Sequence, residues 1–299
     1  MLPNEIENPV AAIVVTYNRL ELLQQCVGAL HNQSAACDIL IVDNASTDGT
    51  AQWLASQSDL YYRNTGSNLG GAGGFNYGMR WAVEAGYDYV WLMDDDTLPQ
   101  PDALEKLLEA DKVLEGNYGW LSSKCLWTDG SICPMNLQRV SPYKEICLKE
   151  TDNGIMPAQM ASFVSLLLRR EMVLKYGLPI CAFFIWTDDL EYTRRISRNE
   201  SCYVVVSSTV VHAMKNKTIA SIATDTTDRL PRYRYFYRND VYLYRREGLR
   251  GWIWLITKDI WHIAPSEKVN RLKIIAGGFK SGICFQPQVD LLVQKNKER

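Results

Sequence analysis

Apolar positions in the first third of the chain come in two alternating textures. Residues 10–15, 38–42 after its leading Asp38, and 89–93 are continuous apolar runs, each short enough for a strand buried on both faces. Between them, Leu20, Leu23, Val27 and Leu30, then Phe75, Met79 and Ala82, recur at helical spacing. Trp53 and Leu54 sit on a further helix, and residues 60–63 form a short strand. Residues 103–114 repeat leucines as a helix that Gly116 and Asn117 end. Strand–helix alternation with short connections predicts an open, mostly parallel α/β sheet.

Beyond Tyr118 the texture changes. Residues 120–126 and 161–168 read as further strands, and the stretch between them carries no clear period. Residues 170–176 form a short helix stopped at Gly177, residues 202–206 a strand, and residues 210–211 a second apolar run that delivers His212. From Pro231 onward, Tyr233, Tyr235, Phe236, Tyr237, Tyr242 and Tyr244 alternate with Arg232, Arg234, Arg238, Arg245 and Arg246. The expected division is 1–228, with halves 1–115 and 116–228, followed by a helical region at 229–299.

Composition adds an asymmetry that the near-zero net charge hides. Residues 1–228 carry 17 Lys and Arg against 28 Asp and Glu, a net of −11, whereas residues 229–299 carry 15 against 6, a net of +9. A basic aromatic tail behind an acidic body suits either an anionic membrane surface or a solvated helical face packed on the body. No apolar run reaches the length of a membrane span, and no leader pattern precedes the first strand, so Met1 is expected to begin the mature protein. The eight cysteines are scattered, with no Cys-x-x-Cys pair and no Cys/His group of zinc spacing. That speaks against a structural metal site and for free thiols in a reducing cytoplasm.

In open α/β sheets ligands sit beyond the carboxyl ends of the strands, and polar groups collect there. Residues 16–19, Asp43 with Asn44, and the trio Asp94, Asp95 and Asp96 all fall at such ends. Three adjacent carboxylates repel one another unless a cation joins them; the bland alternative is a solvated cap for the next helix. In extended backbone, Asp94 and Asp96 would leave on one side, to ligate a hard ion such as Mg²⁺ or Mn²⁺, while Asp95 faces the other. The glycines at 70, 71, 73 and 74 either let main-chain N–H groups approach an anion or allow tight helix packing. Asp188 and Asp189 follow Thr187, a plausible N-cap, so they complement a helix dipole or supply a general base. His212 is either structural or a third metal ligand.

Taken together, Val-Val-Thr-Tyr-Asn-Arg at 14–19, Val-Asp-Asn-Ala-Ser at 42–46, Asn-Leu-Gly-Gly-Ala-Gly-Gly-Phe at 68–75 and Met-Asp-Asp-Asp at 93–96 resemble the inverting family 2 glycosyltransferases. The Gly-rich form, the triple Asp and the later Trp-Thr-Asp-Asp-Leu-Glu-Tyr are most similar to bacterial galactofuranosyltransferases, with rhamnosyltransferases as near relatives. The inserted Thr187 departs from the usual Trp-Asp-Asp of that subfamily.

The resemblance implies the GT-A fold, a Rossmann-like mixed sheet flanked by helices, here with a C-terminal basic aromatic helical extension. It implies that Thr16, Asn18, Arg19, Asp43 and Asn68 bind the nucleotide. Asp94, Asp96 and His212 would hold Mn²⁺ or Mg²⁺, Asp189 would be the base, and Trp186 and Asp188 would position the acceptor.

The implied reaction moves a sugar, foremost galactofuranose from its UDP donor, onto a cell-surface glycan such as O-antigen or capsule. The acceptor would be lipid-linked, at the inner face of the cytoplasmic membrane, with peripheral membrane contact and no nucleic acid. A rhamnosyl or other hexosyl transfer is the neighbouring reading, and a non-catalytic sugar-nucleotide-binding module the distant one. A sugar-nucleotide pyrophosphorylase would need a Gly-rich signature where this chain has Thr16 to Arg19.

Overall fold

A computed structural model describes residues 8–149, 151–214, 221–225, 228–263 and 269–292; Met1 lies outside them. The strands are β1 (Val10–Thr16), β2 (Asp38–Asp43), β3 (Tyr61–Asn64), β4 (Tyr89–Asp94), β5 (Thr97–Pro99), β6 (Leu121–Trp127), β7 (Arg139–Ser141), β8 (Lys144–Glu145), β9 (Ile155–Pro157), β10 (Leu166–Arg169) and β11 (Tyr203–His212). The helices are α1 (Leu20–His31), α2 (Thr50–Ala55), α3 (Gly70–Ala85), α4 (Ala103–Val113), α5 (Arg170–Tyr176), α6 (Asp188–Ser197), α7 (Tyr233–Arg245), α8 (Gly248–Ile263) and α9 (Val269–Cys284).

The central sheet runs β3-β2-β1-β4-β10-β6-β11-β5, with β9 on β11. Strands β3, β2, β1 and β4 are parallel, as the alternation predicts. β10 then enters antiparallel between β4 and β6, so the sheet is mixed rather than mostly parallel. The continuous apolar runs split by period two between the two faces. Val10, Ala12 and Val14 of β1, with Trp91 and Met93 of β4, pack under α1 and α4. Ala11, Ile13 and Val15, with Val90 and Leu92, pack under α3, α5 and α6. Each fully buried Val, Ile, Leu or Met among them contributes about 1.5–3 kcal/mol, which holds the middle strands rigidly and fixes where their tips point.

Two strand boundaries depart from the expectation. The run 161–168 becomes strand only from Leu166, because Ser165 takes a left-handed φ of 59° that breaks the extension. The two apolar runs before His212 form one strand, β11, with a register shift between Val205 and Thr209 where it pairs with β6. This shift lets one strand serve β6 along its length and still deliver His212 opposite Thr97 of β5.

Most of the tail's tyrosines prove to be interior. Tyr233, Tyr237, Tyr242 and Tyr244 on α7 are buried, which selects packing over lipid contact for them. The apolar surface that α8 exposes is different: Leu249, Ile253 and Ile256, one helical stripe at 76, 55 and 53 % exposure. Among the described residues, no helix is long and apolar enough to cross a membrane.

Candidate active site

Strand β4 ends at Asp94; Asp95 and Asp96 form a turn before β5. The extended-backbone argument for Asp94 and Asp96 therefore does not apply, and neither does the outward-facing Asp95. Arg19 Nη1 bonds both Asp95 Oδ1, at 3.2 Å, and Asp96 Oδ2, at 2.6 Å, so these two carboxylates share one side. Thr16 Oγ1 donates to Asp95 Oδ2 at 2.7 Å. Asp95 is thus a protein-held anchor that orients Arg19, whose side chain remains 48 % exposed toward the rim.

Asp94 is short of donors, whereas Asp96 has both Arg19 and His212. Asp94 makes no side-chain hydrogen bond among the described residues, and burial together with the charges of Asp96 and Asp95 pushes it up to about 7. Asp96 Oδ1 is buried and ion-paired with His212 Nε2 at 3.2 Å; burial opposes ionisation, but His212 and Arg19 together hold Asp96 below its ordinary value. Although burial opposes it, contact with Asp96 and Cys133 pushes the His212 imidazole up to about 10. An under-compensated carboxylate, a second carboxylate beside it and an imidazole nitrogen suit a hard divalent cation. Asp94, Asp96 and His212 are the residues that could hold it.

His212 is itself tightly placed. Its Nδ1 lies 2.8 Å from Asn136 Oδ1, and the ring of Trp127 lies parallel to it with centroids 6.1 Å apart. Asn136 Nδ2 donates to Ser162 Oγ at 3.0 Å, which sets the amide so that its oxygen faces the imidazole. Cys125, Cys133 and His212 come within 4.8 Å of one another. Chain spacing had spoken against any such Cys/His group. The hairpin that places Cys133 N–H on Cys125 O, together with the parallel pairing of β6 and β11, assembles it.

The remaining nucleotide-side candidates line the same sheet edge but are bonded largely to one another. Asn18 has φ 55°, and its Oδ1 accepts from Thr47 N at 2.7 Å. Buried Asp43 accepts from Ser46 N at 2.9 Å and Asn64 Nδ2 at 2.7 Å, tying β2 to β3. Asn68 is exposed, and its Oδ1 accepts from Gly70 N at 2.8 Å at the start of α3. The glycines lie within the first turns of α3 rather than ahead of it, and two of them are there for close packing. A Cβ on Gly70, at φ +71°, would stand 2.0 Å from Phe184 O, and one on Gly74 would stand 2.5 Å from Val15 Cγ1.

Phe184 belongs to a strained segment that carries the second acid pair. Phe184, Trp186 and Thr187 all have positive φ, and Ile185 N donates to Phe183 O in a three-residue turn. Thr187 stands at the N-cap position of α6 but caps nothing; its Oγ1 donates to Asp240 Oδ1 of α7 at 2.8 Å. Asn239 Nδ2 donates to the carbonyls of Phe183, Ile185 and Trp186. Trp186 packs on Tyr233 and Phe236, with centroids 5.0 and 6.0 Å away.

That clamp presents Asp188 and Asp189 differently. Asp188 is buried and raised well above the carboxylate range, by burial and then by Asp189, with Asp94 also contributing, so the start of α6 faces the β4 tip. Asp189 is only partly buried. Burial pushes it up to about 6 against the pull of Leu190 N–H and Arg139. A carboxylate in that range, accessible and ionised at neutral pH, can take a proton from a hydroxyl.

Sequence reasoning missed Asn136, Asn239 and Asp240. The last two left one signal, a buried-polar pair inside an otherwise aromatic and basic helix.

With this geometry in hand, likeness to known proteins is informative. Residues 11–115 match the family model described as Glycosyl transferase family 2. The galactofuranosyltransferase GlfT1 of Mycolicibacterium smegmatis is 27 % identical over 273 residues, 83 % of this chain and 90 % of that protein. An undecaprenyl-phosphate mannosyltransferase of Micrococcus luteus is 39 % identical over 112 residues; the match spans 36 % of this chain and 45 % of that relative. Among solved structures, GalNAc-T7 with UDP, GalNAc and Mn²⁺ aligns at TM-score 0.62 and 11 % identity over 94 % of this chain and 56 % of that one. S. aureus TarS 1-349 aligns at 0.54 and 15 % over 93 and 72 %. The fold is that of the GT-A enzymes, with the C-terminal helices added, and the chain is a glycosyltransferase that carries a family 2 domain at residues 11–115.

Proposed function

We propose that this chain catalyses inverting, metal-dependent transfer of galactofuranose from UDP-galactofuranose to a lipid-linked cell-surface glycan at the cytoplasmic face of the membrane. The observation that supports this reading is that under-compensated Asp94, beside the Asp96–His212 pair, also acts electrostatically on Asp188, which precedes Asp189 at the start of α6. Similarity to GlfT1 along nearly its whole length favours the furanosyl donor.

In this reading, the rim formed by Thr16, Asn18, Arg19, Asp43 and Asn68 receives the nucleotide, and Asp94, Asp96 and His212 would hold Mn²⁺ or Mg²⁺. Held there, such an ion would supply Lewis-acid stabilisation of charge on the departing phosphate. Arg19, anchored by Asp95 and Asp96, adds a fixed positive charge there. Trp186 and Asp188 border the acceptor. Asp189 takes the proton of the acceptor hydroxyl as its oxygen bonds to the anomeric carbon and the bond to the diphosphate breaks. One attack from the face opposite the leaving group inverts the anomeric centre.

A second reading keeps the chemistry and changes the donor to a mannosyl, rhamnosyl or other hexosyl nucleotide. The 39 % identity to the mannosyltransferase, over about a third of this chain, favours it. A thermal-shift panel of sugar nucleotides with and without Mn²⁺, followed by anomeric analysis of the product, separates the two. Stabilisation by UDP-galactofuranose above the other donors, and an inverted product, is expected. Preference for another sugar, or a retained configuration, would overturn the first reading.

A further inference from the structure

The side of His212 that faces away from the acid trio carries a donor set of another character. Cys133 Sγ lies 3.9 Å from His212 Nδ1 and 3.0 Å from Asn136 Oδ1. Cys125 Sγ lies 3.7 Å from the same amide oxygen, which is 2.8 Å from the imidazole nitrogen. All four residues are buried. Zinc binds thiolate at about 2.3 Å and imidazole at about 2.0–2.1 Å, so the edges of a tetrahedral shell run about 3.3–3.8 Å. The separation from Cys125 Sγ to the amide oxygen, 3.7 Å, lies in that range, that from Cys133 Sγ to Nδ1, 3.9 Å, just beyond it, and the two remaining ones, 3.0 and 2.8 Å, are shorter by about 0.3–0.5 Å. Two sulfurs and one nitrogen lie within 4.8 Å of one another, with the amide oxygen beside all three, so shifts of well under ~1 Å would bring them round one ion.

Chemistry and charge agree with this geometry. Thiolates and imidazole favour a thiophilic ion, whereas the carboxylates on the other side of the ring favour a hard one. Two thiolates offset a divalent charge, so the ion leaves no net charge in a buried place. The supporting elements are rigid: a hairpin fixes Cys133 to Cys125, Ser162 fixes the Asn136 amide, and Trp127 lies parallel to the imidazole. We propose that Cys125, Cys133, Asn136 and the Nδ1 of His212 form a binding site for a thiophilic divalent cation such as Zn²⁺ or Cd²⁺. Because a neutral imidazole bound through Nδ1 carries its proton on Nε2, filling this site withdraws His212 from the hard-ion side. That consequence alone rests on the role proposed above for His212.

The test is spectroscopic and needs no turnover. Reduced full-length protein titrated with Cd²⁺ is expected to develop a thiolate-to-metal charge-transfer band saturating at one equivalent. Cys125→Ser/Cys133→Ser should lose it while keeping its thermal transition. His212→Ala, which retains both thiols, should bind Cd²⁺ at least tenfold more weakly.

X-ray absorption of the Zn²⁺-loaded wild-type protein, which uses no variant, should show sulfur at about 2.3 Å beside nitrogen and oxygen. A band of equal strength in the double variant, unchanged affinity in His212→Ala, or a zinc shell of nitrogen and oxygen alone would each overturn the proposal. For the coupling, Zn²⁺ should weaken Mn²⁺-dependent UDP binding in the wild type but not in the double variant. Equal weakening in both would overturn it.

Discussion

Asn239 Nδ2 on α7 holds the carbonyl of Trp186 at 2.9 Å, in a backbone conformation, φ 64°, that a tryptophan rarely adopts. The same amide holds Phe183 O and Ile185 O, so one buried side chain from the C-terminal region stabilises the strained turn that leads into Asp188 and Asp189. The basic tail is therefore part of the site's construction, whatever else it does.

Asn239→Ala should consequently cost both stability and function. Removing the side-chain donor shared by Ile185 O and Trp186 O, and one of the donors to Phe183 O, is expected to destabilise the fold by about 1–3 kcal/mol, read from denaturant melts. Transfer should fall more than the loss of folded protein explains, because the acid pair loses its fixed presentation. A variant with full specific activity per folded molecule would show that the clamp serves the fold alone.

Asp189→Asn should abolish transfer, by about 10²–10⁴-fold, with UDP affinity by calorimetry nearly unchanged. The group is raised to about 6, so kcat/KM of the wild type should fall as pH drops through that value and the carboxylate protonates. Stability runs the other way. A carboxyl with its folded value raised from 3.8 binds more protons when folded, so its contribution declines as pH rises from about 4 to 6. Above that window the Asn variant should be more stable than wild type, by about 1–3 kcal/mol. Residual turnover near the wild-type level would remove Asp189 from the base role.

Removing the hard ion should separate binding from folding. Asp94→Ala, Asp96→Ala and His212→Ala are each expected to weaken Mn²⁺-dependent UDP binding at least tenfold, measured by calorimetry with and without metal. EDTA should stop wild-type transfer, and added Mn²⁺ or Mg²⁺ should restore it. Turnover that persists in excess chelator would exclude the clamp.

The exposed stripe Leu249, Ile253 and Ile256 lies in the basic C-terminal region, a combination suited to the headgroup zone. Co-sedimentation with anionic vesicles should occur at low ionic strength, decline with salt, and fall several-fold in Ile253→Glu. Equal recovery with neutral vesicles or in the variant would return α8 to a different role.

How far the sequence reaches can be seen by comparing particular residues. Apolar runs of period two determined β1, β2 and β4, because a strand buried on both faces has few other ways to satisfy both sides. Since ligands gather beyond strand ends, the rim residues Thr16, Arg19, Asp43 and Asp94 were legible as well. Local spacing could not say which way the chain turns after Asp94. Only the turn at Asp95 and Asp96, and the antiparallel pairing of β5 with β11, set Asp96 against His212, 116 positions away. Long-range pairing likewise decided that scattered cysteines share a cluster with that histidine, and that Asn239 grips Trp186. The physical reason is the same in each case: period and propensity act over a few residues, whereas a site is made by strand register and buried hydrogen bonds between segments far apart in the chain.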